Sequence, residues 1–222
     1  MELSLELVKN NPKIIDFIEQ TEKYLNALGY TDHGFRHINI VSDRARSIAQ
    51  KIGLSPKEQE LAAIAAYCHD MGNFLGRTQH HYWAALLFSQ VFINESDNPN
   101  DVSTIAQAIV CHDKDDLKIV NKVTAVLILA DKSDVHRSRV RDTGGSNLAK
   151  DIHDRVNYAV TANDLLVDRG KKLITLRLKL DTKFSPPLEY FEIFTERMTY
   201  CRKAANHLNY RFALEINKFR LL

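Results

Sequence analysis

Through its first 160 residues the chain repeats one pattern: an apolar run of helical period, then a short polar break. Residues 4–28 place Ile14, Ile15, Ile18, Tyr24 and Leu25 at roughly helical spacing, which predicts one or two helices, interrupted near Pro12 and ended by Gly29. Thr31-Asp32-His33-Gly34 reads as a turn and cap for a helix over 35–52, with His37, Val41, Ile48 and Ile52 near one face and Gly53 as its stop. Ser55-Pro56-Lys57-Glu58 is a capping box with proline at the first helical position, and it opens a helix that runs into LAAIAAYCHDMG at 61–72. A loop over 72–78 contains Arg77. Helices are then predicted over 80–93, with Trp83, Leu86, Leu87 and Val91, and along Ile105, Ala108 and Ile109 up to His112. The polar connection between them, 94–101, holds Pro99, and Asp101 or Ser103 is the expected cap. A charged KDDLK turn leads to the apolar run 123–130, which ends in Asp131-Lys132.

The character changes after residue 135. Arg137, Arg139 and Arg141 stand at alternate positions before Gly144-Gly145, which reads as a short helix end followed by a basic loop; 151–160 adds a helical turn or two. In KKLITLRLKLDTKF the period falls to two: Ile174, Leu176, Leu178 and Leu180 alternate with Thr175, Arg177 and Lys179, a half-buried strand. Residues 164–168 are its expected hairpin partner across Arg169-Gly170. Ser185-Pro186-Pro187 starts a long helix whose buried stripe is read as Leu188, Phe191, Phe194, Met198, Cys201 and Ala205. Residues 211–220 alternate again, as one more strand. The expected fold is mainly α, with a helical metal-binding domain over 1–160 and a small α+β unit, β-β-α-β, over 161–222. Trp83, Phe191 and Phe194 are assigned to the core.

Composition narrows the partners. With 45% apolar and 26% charged residues the chain is ordinary for a globular protein, and a net charge of +2 favours neither nucleic acid nor an acidic surface. No aromatic residues interleave Arg137–Arg141, so nucleic acid is not the expected partner. Three cysteines without a CxxC pair give no disulfide framework or zinc ribbon, and Cys68 and Cys111 read as small buried hydrophobes. The first residues carry acids and no long apolar core, so they do not read as a signal peptide. No stretch reaches the ~18 apolar residues of a membrane span. A cytoplasmic location without membrane partners is the expectation.

The chemistry lies where apolar runs end. An apolar helix that closes in two ionisable residues, His69-Asp70, is costly unless something there needs them, and a metal ion is the need inferred. His37, His80 or His81, His112 and Asp131 are the other ligand-type residues at predicted helix ends. Of the three His-Asp dipeptides, 69–70 has the apolar approach and a following glycine. In 112–113 the histidine alone is the candidate, with Asp113 in a charged turn, and 153–154 lies in a polar, basic stretch.

The order His37, His69-Asp70, Asp131 resembles the HD superfamily of metal-dependent phosphohydrolases over roughly residues 30–135. That resemblance implies a helical HD-type domain with His37, His69, Asp70 and Asp131 on a first metal. His80 and His112 match the places of the extra histidines in the two-metal subset, as in the HD-GYP proteins and related phosphodiesterases; His81 is an alternative to His80. His33-x-x-x-His37 resembles the H-x-x-x-H of cyclic-nucleotide phosphodiesterases, which makes His33 a candidate general acid. One or two divalent transition ions (Mn, Fe, Ni, Co or Zn) suit mixed imidazole and carboxylate ligands. Asp70 would bridge two ions, and a metal-activated hydroxide would cleave a phosphomonoester or phosphodiester of a nucleotide or similar small molecule. Lys132, Lys114 and Arg137 are placed to meet phosphate oxygens, Lys132 with a catalytic role beside Asp131, although each taken alone reads better as a solvated surface residue. The alternative is a regulatory module that binds a phosphorylated ligand without turnover. The C-terminal unit offers a possible homodimer surface.

Overall fold

The computed structural model describes residues 1–113, 118–141 and 151–221. Nine α-helices and four strands are present among them: α1 Leu5–Lys9, α2 Pro12–Ala27, α3 Phe35–Ile52, α4 Pro56–Cys68, α5 His80–Phe92, α6 Pro99–Cys111, α7 Lys122–Lys132, α8 Ile152–Ala159, β1 Val160–Asp168, β2 Leu173–Leu180, α9 Pro187–His207, β3 Arg211–Ile216 and β4 Phe219–Leu221. None of the helices is long and apolar enough to cross a membrane. Lys114, one expected phosphate contact, lies outside the described residues.

Local chemistry sets the helix ends. Asn11 caps α2 through its side chain with Pro12 at the first position, so the expected interruption near Pro12 is the boundary between α1 and α2. Asn98 and Pro99 do the same for α6, in place of the expected Asp101 or Ser103 cap. The capping box at Ser55 and Glu58 forms as expected, and Gly53 closes α3 in the left-handed conformation at φ 84°.

Two helices are buried all round. Every residue from Leu61 to Cys68 in α4, and from Val123 to Lys132 in α7, is shielded from solvent. Helices of that kind belong at the centre; both pack against α3, α6 and each other, and α7 also packs against α9. The outer helix α5 is apolar on most of its surface but turns Trp83 and Leu86 outward, at 37% and 60% exposure. Trp83 is therefore not a core residue, and apolar periodicity in a peripheral helix did not reveal its wet side.

The sheet has the order β1-β2-β3-β4. β1 and β2 are antiparallel; β2 and β3 are parallel, and α9 is the crossover such a pair requires. The expected β-β-α-β unit is present, with two differences. β1 begins at Val160 rather than 164, directly after α8. The stretch read as one strand over 211–220 is a hairpin, because Asn217 and Lys218 take positive φ values of 50° and 71° in a two-residue turn between β3 and β4.

α9 joins two apolar clusters. Tyr190 and Phe194 pack with Leu176, Leu178 and Leu214 of the sheet. One or two turns on, Tyr200, Cys201, Ala204 and Ala205 belong to the large core around α4 and α7. Leu188, in the first turn, is exposed and lies outside the stripe assigned to it, and Phe191 is half-buried.

Candidate metal centre

The ends of the central helices meet. His37 stands in the first turn of α3, His69 caps the C-terminus of α4 with Asp70 next to it, His80 opens α5, His112 caps α6 and Asp131 lies in the last turn of α7. His37 Nε2 lies 3.3 Å from His69 Nε2 and 3.5 Å from both Asp70 Oδ2 and Asp131 Oδ1. His69 Nε2 is 3.3 Å from Asp70 Oδ2 and 3.6 Å from Asp131 Oδ1. The other Asp70 oxygen, Oδ1, is 3.3 Å from His80 Nε2, which in turn is 3.2 Å from His112 Nε2. Asp70 thus faces two groups of ligands with its two oxygens. Among the described residues three His/Asp groups have ligand atoms within 4.8 Å of one another, and all three draw on these six residues.

The fit to a cation is tested by where the imidazole protons are. His37 Nδ1 donates to Asp134 Oδ2 at 2.7 Å, which commits that nitrogen. His69, His80 and His112 each donate Nδ1–H to the carbonyl oxygen three residues earlier, of Ala66, Arg77 and Ile109, at 2.6–2.8 Å. The four rings therefore direct Nε2 at one another, two against two at 3.2–3.3 Å. Facing lone pairs repel unless positive charge lies between them. Ligands about 2.1 Å from a common ion are spaced by about 3.0–3.4 Å, so the observed separations suit a divalent metal.

The electrostatics carry the same demand. Burial alone would lower the pKa of His69, but Asp70 and Asp131 push it up to about 10. Asp131 is buried, which alone would raise its pKa, yet Lys132, His37 and His69 hold it well below the carboxylate range. Asp70 is held down against burial in the same way, by His69 and His80. A centre without a metal would take its positive charge as a proton on His69.

Residues 34–136 match the HD domain family. That segment is an HD domain. The three His/Asp groups of this HD domain are suited to chelate a divalent metal. Over 158 residues the chain is also 28% identical to an uncharacterized protein of Methanocaldococcus jannaschii, a match covering 61% of this chain and 60% of that protein. The chain thus spans about three-fifths of the length of the curated relative it matches.

Around the ligands, a small polar cavity of about 30 Å³ is lined by His33, Asp70, Arg77, His80, His112, Asp113, Asp131, Lys132, Arg139 and Arg197. Lys132 is buried, with Nζ 2.6 Å from Asp113 Oδ1 and 2.9 Å from Asp131 Oδ2, so it is not a solvated surface residue. The His81 ring lies 4.3 Å from that of Tyr82, tilted to it, and belongs to none of the three ligand groups, one of which takes His80. His33 donates Nδ1–H to Thr31 O at 2.7 Å, and its Nε2 receives a hydrogen bond from Arg77 at 3.3 Å. Burial and Arg77 lower its pKa well below 6.5, so in this arrangement the ring is a neutral acceptor. Arg137 does not line the cavity: its guanidinium lies 5.1 Å from the Tyr158 ring centroid. Arg139, two residues on, points inward instead and donates to the carbonyls of Asp134 and Asp32.

Several contributors carry no strong sequence signal. Asp134 orients His37 from 97 positions away. Asn73 donates to Asp70 Oδ1 at 3.0 Å and accepts from Arg77 at 2.9 Å. Asp113 was visible as half of the second His-Asp dipeptide. Arg197 had a fainter mark, as a charged residue three positions after Phe194 and four before Cys201, on the buried side of α9.

Proposed function

We propose that this protein is a metal-dependent phosphohydrolase. The observation that carries the reading is the set of four histidines whose Nδ1 protons are committed while their Nε2 atoms converge with Asp70 and Asp131. His37, His69, Asp70 and Asp131 would hold one divalent transition ion; Asp70, His80 and His112 would hold a second. Such ions activate a water as nucleophile and neutralise phosphate charge. The chain's own residues do the rest. Asp134 and the three carbonyls fix the rings. Asn73 holds the Asp70 carboxylate. Lys132 and Arg139, beside the ligands, supply positive charge to the phosphoryl oxygens, and His33 aligns Arg77. The substrate in this reading is a phosphomonoester or phosphodiester of a nucleotide or similar small molecule.

The test begins with protein purified without chelator. Elemental analysis is expected to find transition metal, and a panel of phosphoesters is expected to show hydrolysis that chelation abolishes. Asp70→Ala, which removes the shared carboxylate, is expected to lose both metal and activity. A folded Asp70→Ala protein with full metal and full activity overturns the reading.

A further inference from the structure

The metal ligands come from the helical core, but one wall of the cavity does not. Arg197 is carried by α9, the crossover helix of the C-terminal unit, between its contacts with the sheet and its contacts with the core. Its position is fixed on both sides, with the guanidinium 4.7 Å from the Phe194 ring centroid. The other cations of the cavity are already engaged. Lys132 is paired with Asp113 and Asp131, Arg139 is hydrogen-bonded to two backbone carbonyls, and Arg77 is held by Asn73 and His33. For Arg197, among the described residues, no carboxylate lies within ion-pairing distance and no oxygen accepts from its guanidinium. Burial and the nearby Arg139 lower its pKa, and the more distant carboxylates of Asp131 and Asp113 offset this only in part.

We propose that Arg197 is an anion-binding residue of the metal site, and that it selects a dianionic phosphate group. This rests on the phosphohydrolase reading for the site's chemistry. Four cationic side chains face three carboxylates in the cavity, and a divalent ion would add two further positive charges. A phosphodiester brings one negative charge and a terminal phosphomonoester close to two at neutral pH, since its second pKa is about 6. The surplus therefore favours the monoester. A guanidinium free at its fork offers two parallel N–H donors to phosphate oxygens, which an ammonium cannot reproduce. The C-terminal unit is in this account part of the substrate site.

The test uses the full-length, metal-loaded protein and inorganic phosphate as probe. Arg197→Gln is expected to weaken phosphate binding, measured by calorimetry, at least tenfold with metal content unchanged, and Arg197→Lys is expected to recover part of the loss. In turnover, the same variant is expected to raise KM for p-nitrophenyl phosphate far more than for bis(p-nitrophenyl) phosphate. As a check independent of the variants, phosphate is expected to protect Arg197 of the wild-type protein from phenylglyoxal, read by peptide mass spectrometry. Unchanged phosphate affinity in a folded Arg197→Gln protein overturns the proposal, and so does absence of protection. Arg197-dependent phosphate binding without hydrolysis of any phosphoester would sink the hydrolase reading and leave this one standing. Hydrolysis indifferent to Arg197 would do the reverse.

Discussion

His37 Nδ1 and Asp134 Oδ2 are 2.7 Å apart, both buried, and the contact decides which nitrogen of His37 faces the ligand cluster. Asp134 is itself held by Arg36 at 3.0 Å, so the carboxylate cannot swing away. Asp134→Asn keeps the shape and removes the charge that makes the imidazole a stronger ligand. Metal affinity is expected to fall roughly 10- to 100-fold, as for other carboxylates placed behind a metal-binding histidine. Competition with a fluorescent chelator measures it, and an unchanged affinity would remove Asp134 from the site.

Lys132 neutralises Asp131 inside the protein, with little water to help. Lys132→Met leaves the buried Asp131 carboxylate without its ammonium partner, and the metal-free protein is expected to lose up to about 3 kcal/mol of stability. A bound cation supplies the missing charge, so the loaded protein should lose much less. Thermal melts with and without metal read the difference; equal losses in both states would show that Lys132 does not act through charge.

The pH dependence follows from His69, whose pKa in the metal-free fold is pushed up to about 10, against an unfolded value near 6.5. Its contribution to the stability of the metal-free protein is complete below about pH 6.5 and is lost as pH rises toward 10. Metal must displace that proton. Affinity is therefore expected to rise by about a factor of ten per pH unit up to about pH 10, with about one proton released per ion bound. Calorimetry in buffers of different ionisation enthalpy counts the protons, and a pH-independent affinity would contradict the assignment.

Gly72 has a steric duty. A Cβ there would stand 2.5 Å from the His80 carbonyl oxygen and against the Ala84 amide nitrogen, both backbone atoms of α5. Gly72→Ala must push the start of α5 outward, and His80 with it. A loss of about 1–3 kcal/mol is expected, together with loss of metal at the Asp70–His80–His112 group ahead of the His37–His69–Asp70–Asp131 group. Metal stoichiometry and a melting curve test both parts. Unaltered stoichiometry would mean that α5 is free to shift without consequence.

The ligand residues were legible because the cost of burying them is local. His69, His112 and Asp131 each end an apolar run, and an ionisable residue there needs a reason that can be read from neighbouring letters. The residues that serve the ligands were not legible in that way. Asp134, Asn73 and Arg77 look like loop polarity until the fold brings them under a ring or a carboxylate. Arg197 was hidden by Met198, which fills a helical stripe just as acceptably on paper. Arg137 and Arg139 were equal candidates by spacing, and a short 3-10 turn over Arg137–Arg139 turned the second inward. The turn at Asn217-Lys218 forms without glycine, so nothing in the alternating stretch marks it.

The helices α4, α6 and α7 all end at the same place, and all present their C-termini to it. Each such end carries roughly half a unit of negative charge from its unpaired carbonyls. The N-termini of α3 and α5, which carry His37 and His80, bring positive ends to the same place, so the backbone leaves a shallow electron-rich well there rather than a deep one. The guanidinium groups around the rim are what can turn the sign of that field outside the well, so an incoming anion would have to be received by arginines before it could reach the floor.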